Sequence, residues 1–189
     1  MTALPEWTYS SPDGLTAEEY DVLPEDFCRR IEVVDGAIVL SPSPRRTHQR
    51  VVQRLANLLD SACGPSLAAV IDSDLRLRDV PLLNRRPDIV VYDSSVPDDQ
   101  VLRPGHCLLV VEVMSPGSIT TDRVDKPAEY SAADIPHFWR VEIDEAGRVA
   151  VHRFRFDATT RTYAAIGVDM DKLVVTDPVQ LSIGFSELL

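Results

Sequence analysis

A chain of 189 residues is long enough for one substantial core and short for two comfortable domains. Its net charge of −11 argues against a uniformly basic nucleic-acid binder. Cys28, Cys63 and Cys107, far apart and without a CxxC, exclude a disulfide framework or a zinc knuckle. The apolar runs fall well short of the roughly 20 residues that span a bilayer, and no basic-then-apolar leader opens the sequence. A reducing cytoplasm is the expected compartment.

Residues 1–14, rich in Ser, Pro and Gly, read as an N-terminal arm, and residues 15–189 as a single domain. Thr16 and Glu19 form a capping-box pattern that predicts a helix over 16–23, stopped by Pro24. RRIEVV and AIVLS read as strands joined by Asp35-Gly36, a two-residue hairpin signal. Ser43 and Pro44 suit the N-cap and first position of the next helix. Val51, Leu55, Leu58 and Ala62 give that helix its apolar stripe, and Gly64-Pro65 ends it. Strands are expected at 67–71, 73–78, 87–92 and 107–113. A helix follows from near Asp125 to about residue 132, its start set by Pro127. HFWRVEI, RVAVHRFRF, RTYAAIG and KLVVT continue as strands. The order implies an α+β domain with a mixed or antiparallel central sheet.

Two acids stand at the mouths of apolar strands: Asp88 before IVVYD and Glu112 within CLLVVEV. An antiparallel register with its midpoint at Gln100 sets Asp88 against Glu112, Val90 against Val110 and Tyr92 against Leu108. Opposed Cβ atoms lie about 5 Å apart. Two carboxylates that close repel unless a cation sits between them, and a divalent metal is the usual remedy. The competing reading is a chance pair at a sheet edge. Lys126 weighs against it. It is one of only two lysines, with Lys172, among 19 Lys and Arg residues. It also opens the helix that returns over the Glu112 strand. An ammonium can sit compactly beside a water and lose its proton, as a guanidinium does not. Two carboxylates and a lysine are the minimum set for metal-assisted phosphodiester hydrolysis.

Other residues carry two readings each. Glu32 can be a surface strand residue paired with an arginine. His48 lies on the apolar side of its helix, as a satisfied near-core histidine would. Asp122 and Tyr130 flank Lys126 at i−4 and i+4 and share its face if the helix is continuous, although Tyr130 also suits packing. Trp139 and Phe138 read as core. Ser115 lacks a GxSxG context, and no Gly-rich phosphate loop exists. Arg45, Arg46 and Arg50, with Arg85 and Arg86, can form a local basic lip or a solvated face.

The segments RPDIVVYD, LLVVEVMSPGS and DRVDKPAEYSAADIPHFWRVE, in this order, resemble the restriction-endonuclease-like Uma-two family of the PD-(D/E)XK nuclease superfamily. IEVVDGAIVLSPSP and the helix containing His48 extend the resemblance from about Thr16 to the C-terminus. It implies a mixed central β-sheet flanked by helices. It implies that Asp88 and Glu112 ligate Mg²⁺ (Mn²⁺ as substitute) with the Val113 carbonyl, and that Lys126 is the catalytic lysine. Glu32 would complete the acidic cluster, and His48 would lie near it. The superfamily usually carries its lysine two residues after the second acid, where this chain has Met114. The implied activity is endonucleolytic cleavage of DNA, with phosphate contacts from Arg45, Arg46, Arg50, Arg85 and Arg86, and with a homodimer by analogy. The alternatives are an inactive nuclease-fold binding or regulatory module and a nuclease acting on RNA.

Overall fold

A capping box opens the first helix. In the computed structural model, which describes residues 14–41, 44–114 and 121–189, Thr16 Oγ1 accepts the Glu19 N–H at 3.2 Å. Glu19 Oε2 accepts the Thr16 N–H at 2.9 Å, and α1 runs Ala17–Asp21. The N-terminal arm lies, apart from Gly14, outside the described residues. A short α2 (Glu25–Cys28) leads into β1 (Ile31–Val34) and β2 (Ala37–Leu40). Asp35 at φ 51° and Gly36 at φ 80° make the left-handed turn that a tight hairpin requires.

α3 (Arg46–Ala62) begins after Pro44 rather than at it, with Arg45 as N-cap; Ser43 lies outside the described residues. It buries Val51, Val52, Leu55, Ala56 and Leu59 along one stripe and ends before Gly64-Pro65. β3 (Leu67–Ile71), β4 (Leu75–Arg78), β5 (Leu83–Arg85), β6 (Ile89–Asp93) and β7 (Cys107–Val113) follow. The three-residue β5 has no counterpart in the sequence expectation. A π turn, Thr121–Asp125, leads into α4 (Lys126–Ala132), which carries Pro127 in its first turn, where a missing N–H costs nothing. The chain closes with β8 (His137–Ile143), β9 (Val149–Asp157), β10 (Thr162–Asp169), β11 (Lys172–Val175) and β12 (Leu181–Gly184).

The large sheet has the order β10-β9-β8-β7-β6-β3, and a smaller one the order β2-β1-β5-β4. β7 and β8 are parallel, and every other pairing in the large sheet is antiparallel, so the sheet is mixed. One face packs Ile89, Val91, Leu109, Val111, Trp139 and Val141 against the α3 stripe. The other packs Val90, Val110 and Phe138 against Tyr130 of α4 and Ile135. The smaller sheet closes over Tyr20, Leu23 and Cys28 through Ile31, Val33 and Leu82. The architecture is the α+β class with a mixed sheet and flanking helices. Among the described residues, no helix is long and apolar enough to cross a membrane.

The parallel step places the site. Two parallel neighbours need a crossover, and the crossover from β7 to β8 contains α4. The N-terminus of α4 is thereby returned to the end of β7 that carries Glu112.

Candidate active site

Strand register brings the two acids together. Ile89 pairs with Val111, Val90 with Val110 and Val91 with Leu109, so Asp88 stands one step beyond the ladder, across from Glu112. A bulge then pairs Tyr92 with Cys107 rather than with Leu108, a local correction that leaves the acid end in register. Asp88 Oδ2 accepts the Val113 N–H at 2.7 Å, which fixes it at the mouth of β7. His48 Nε2, from the first turns of α3, lies 3.3 Å from the same oxygen. The Asp88 side chain is 23% exposed, and that of Glu112 is 3% exposed. The pair thus has one wet and one dry member.

Glu112 is held from two successive turns of α4. Lys126 Nζ donates to Oε2 at 3.0 Å, and Tyr130 Oη donates to Oε1 at 2.6 Å. The i, i+4 spacing puts both groups on one helix face. Tyr130 is fully buried. Burial, followed by the charges of Glu112 and Glu32, drives its phenol well above the usual range, so it remains a proton donor.

Glu32 comes from β1 and is buried, not a surface residue. Its Oε1 lies 3.4 Å from Lys126 Nζ and accepts the Arg86 N–H at 3.1 Å. Its Oε2 accepts from Arg85 Nη1 at 2.9 Å. Burial pushes its carboxyl up, but Lys126, Arg85 and the Arg86 amide outweigh burial and hold it below the usual range. Arg85 completes the cluster through Glu129 of α4, donating from Nε and Nη2 at 2.6 Å each. Burial works against the Arg85 charge, but its two carboxylates raise its pKa further. Glu129 carried no distinguishing signal in the sequence.

The expected lip divides. Arg45, Arg46 and Arg50 are exposed at the start of α3. Arg85 is 3% exposed and wholly committed to the cluster, and Arg86 spends its guanidinium on Asp74, at 2.7 Å, and on Asp72. Neither is placed as a surface phosphate contact. The side chain of Asp122 lies outside the described residues. Phe138, Trp139 and Cys107 are core residues, as their sequence contexts suggest.

The protein donors at the β7 mouth are few for a divalent cation. Among the described residues, no three His, Cys, Asp or Glu side chains group as metal ligands. Mg²⁺, however, is commonly held by one or two carboxylates with waters and substrate phosphate completing the shell. Each carboxylate oxygen has two lone pairs, so Glu112 keeps acceptor capacity beside Lys126 and Tyr130. Asp88, Glu112 and the Val113 carbonyl are hard oxygen donors, and they fit Mg²⁺ or Mn²⁺ rather than a soft metal.

Comparison with known proteins agrees with this fold. A crystal structure of "a putative nuclease" from Anabaena variabilis ATCC 29413 superposes with a TM-score of 0.67 at 20% sequence identity. The match covers 93% of this chain and 99% of that one, and at this identity it speaks to the fold. No curated protein matches. A family model, Uma2, described as "Putative restriction endonuclease", matches residues 17–186, nearly the whole described chain. Matched over this length, the chain belongs to the Uma2 family.

Proposed function

We propose that this protein is a metal-dependent endonuclease that hydrolyses phosphodiester bonds in DNA. The observation that carries the reading is Lys126 Nζ at 3.0 Å from Glu112, on the β7 mouth where Asp88 is pinned by the Val113 amide. Asp88, Glu112 and the Val113 carbonyl would hold Mg²⁺. The ion, when bound, supplies positive charge to the phosphate and acidity to water.

The protein's own groups perform the rest. Lys126, whose ammonium lies beside Glu112, orients the attacking water. Tyr130 fixes the Glu112 carboxylate from the side opposite Lys126. Glu32, kept ionised by Lys126 and Arg85, holds the ammonium between two carboxylates and so sets its position. The family description supports DNA as substrate. A homodimer would supply a second site for the second strand, and a cytoplasmic enzyme fits the cysteine pattern.

The test is nicking of supercoiled plasmid in Mg²⁺ or Mn²⁺. Wild-type protein should nick, and Asp88→Ala and Glu112→Gln should each lose at least about 100-fold, the scale of losing a group that acts in the transition state. Equal nicking by wild type and Asp88→Ala would mean a contaminant. Absence of nicking together with undetectable Mn²⁺ binding by calorimetry would favour an inactive module.

A further inference from the structure

The face of the large sheet that carries Glu112 also carries a second charged group next to it. Register sets Glu112 beside Arg140 on β8, and Arg140 beside His152 on β9. Residues in register project to one face, and neighbouring strands lie about 4.8 Å apart, so the three form a row leading away from Glu112. Glu142, two residues further along β8, shares that face and gathers the cations. Arg140 Nε donates to its Oε1 at 2.9 Å, and Arg123 Nη2 to its Oε2 at 2.9 Å. His152 Nε2 lies 3.5 Å from Oε1.

One carboxylate needs one guanidinium, and this one has two. The group therefore carries net positive charge beside an acidic centre, in a chain whose net charge is −11. His152 adds no charge to it near neutral pH, because burial holds its pKa below the usual value, against the pull of Glu142. Arg140 is also built in. Its Cζ lies 5.5 Å over the Phe154 ring, which fixes the guanidinium plane while only Nε is spent on Glu142. A guanidinium has five N–H donors, so the Nη groups remain to be satisfied. Arg140 is 14% exposed, His152 24% and Arg123 47%, so solvent and ligand reach the row.

We infer that Arg140, with Arg123 and His152 held round Glu142, is a subsite for a nucleic-acid phosphate next to the one that is cut. The inference rests on the nuclease reading of Asp88, Glu112 and Lys126. It changes where the basic surface of the site lies. Arg85 and Arg86 are consumed by internal carboxylates, whereas Arg140 is one strand away from Glu112. Arg45, Arg46 and Arg50 lie on the other flank, on the helix whose His48 approaches Asp88. A strand crossing the acidic pair meets cations on both sides.

The test is binding of a fluorescent duplex oligonucleotide over a range of salt concentrations in EDTA, with plasmid nicking in Mg²⁺ read in parallel. Arg140→Gln should bind about fivefold more weakly, with the log–log salt slope reduced by about one phosphate contact; Arg140→Lys should restore the slope. Glu142→Gln should bind about threefold more tightly, because it removes the carboxylate that competes with phosphate; misfolding cannot produce that gain. Wild-type affinity and slope in both Arg140→Gln and Glu142→Gln would overturn the subsite, as would absence of nucleic-acid binding by the wild type. Arg140-dependent binding with no nicking by the wild type would sink the nuclease reading alone. Nicking with unchanged KM in Arg140→Gln would remove the subsite and leave the nuclease.

Discussion

Glu129 grips Arg85 with both carboxylate oxygens, through Nε and Nη2 at 2.6 Å each. The third nitrogen of the same guanidinium, Nη1, reaches Glu32 at 2.9 Å. Arg85 is on β5, Glu32 on β1 and Glu129 on α4, so one buried side chain ties the smaller sheet to the helix that carries Lys126. Bidentate geometry of this kind is available to arginine and not to lysine.

Removing that side chain leaves Glu129 without its guanidinium and Glu32 with Lys126 and the Arg86 amide alone. Arg85→Ala should destabilise the fold by about 3–5 kcal/mol, the usual consequence of breaking a buried ion pair from one side. Glu129→Gln keeps the shape and one acceptor, and should cost about 1–2 kcal/mol. Urea denaturation with the slope checked for constancy measures both. An Arg85→Ala midpoint equal to that of wild type would show that the clamp contributes nothing net.

Tyr130→Phe removes a single hydroxyl from a packed ring. Glu112 Oε1 then loses the donor at 2.6 Å that fixes its rotamer. Partners that orient metal ligands typically matter by about 10–100-fold. Nicking should therefore fall about tenfold in kcat, with little change in KM for plasmid. A change confined to KM would place Tyr130 in substrate binding instead.

The acid limb of stability should contain a contribution from Glu32. Its folded pKa lies below the ordinary carboxylate value of 4.5, so the unfolded chain binds the proton more readily. The stabilisation is fully present above that value and is lost as pH falls through the folded pKa. As pH falls below the ordinary value of 4.5, wild-type stability should drop more steeply than that of Glu32→Gln. Parallel slopes in urea titrations across this window would contradict the assignment.

Metal binding and turnover should separate at Lys126. Replacing it by Gln takes a positive charge from beside Glu112, so Mn²⁺ should bind at least as tightly by calorimetry. Nicking should fall by about 100-fold or more, the scale of losing a group that positions the attacking water. Weaker Mn²⁺ binding would mean that Lys126 acts mainly by holding Glu112 in place. Asp88→Ala should lose Mn²⁺ binding altogether.

Much of this site was legible because strand periodicity is local and strict. The midpoint at Gln100 set the β6–β7 register, and the ladder from Ile89 to Val91 follows it. The same arithmetic missed at Tyr92, because a bulge inserts a residue without altering the apolar pattern. Arg85 was misread for a different reason. Charged residues are rarely buried, and beside Arg86 it looked like a surface lip. Its partners, Glu32 and Glu129, are 53 and 44 residues away, so nothing local announces them. β5 is three residues long and shows no period to recognise. Lys126 stood out through its rarity. Its reach to Glu32 as well as Glu112 depends on how the smaller sheet meets the larger, which pairing rules within one sheet do not predict.

The parallel step from β7 to β8 has a consequence for when the site exists. Glu112 and Lys126 are joined by that crossover, so the larger sheet with α4 holds both, and Glu32 is brought by the smaller sheet. The contact of Lys126 with Glu112 therefore needs only β7 and the helix that follows it. A chain with each sheet formed but the two not yet docked would hold the ammonium against Glu112 and lack the second carboxylate, Glu32. The last assembly step then adds Glu32 and its Arg85 clamp to a pair already formed, and the rate at which these buried contacts appear on refolding reports the docking of the two sheets rather than the formation of either.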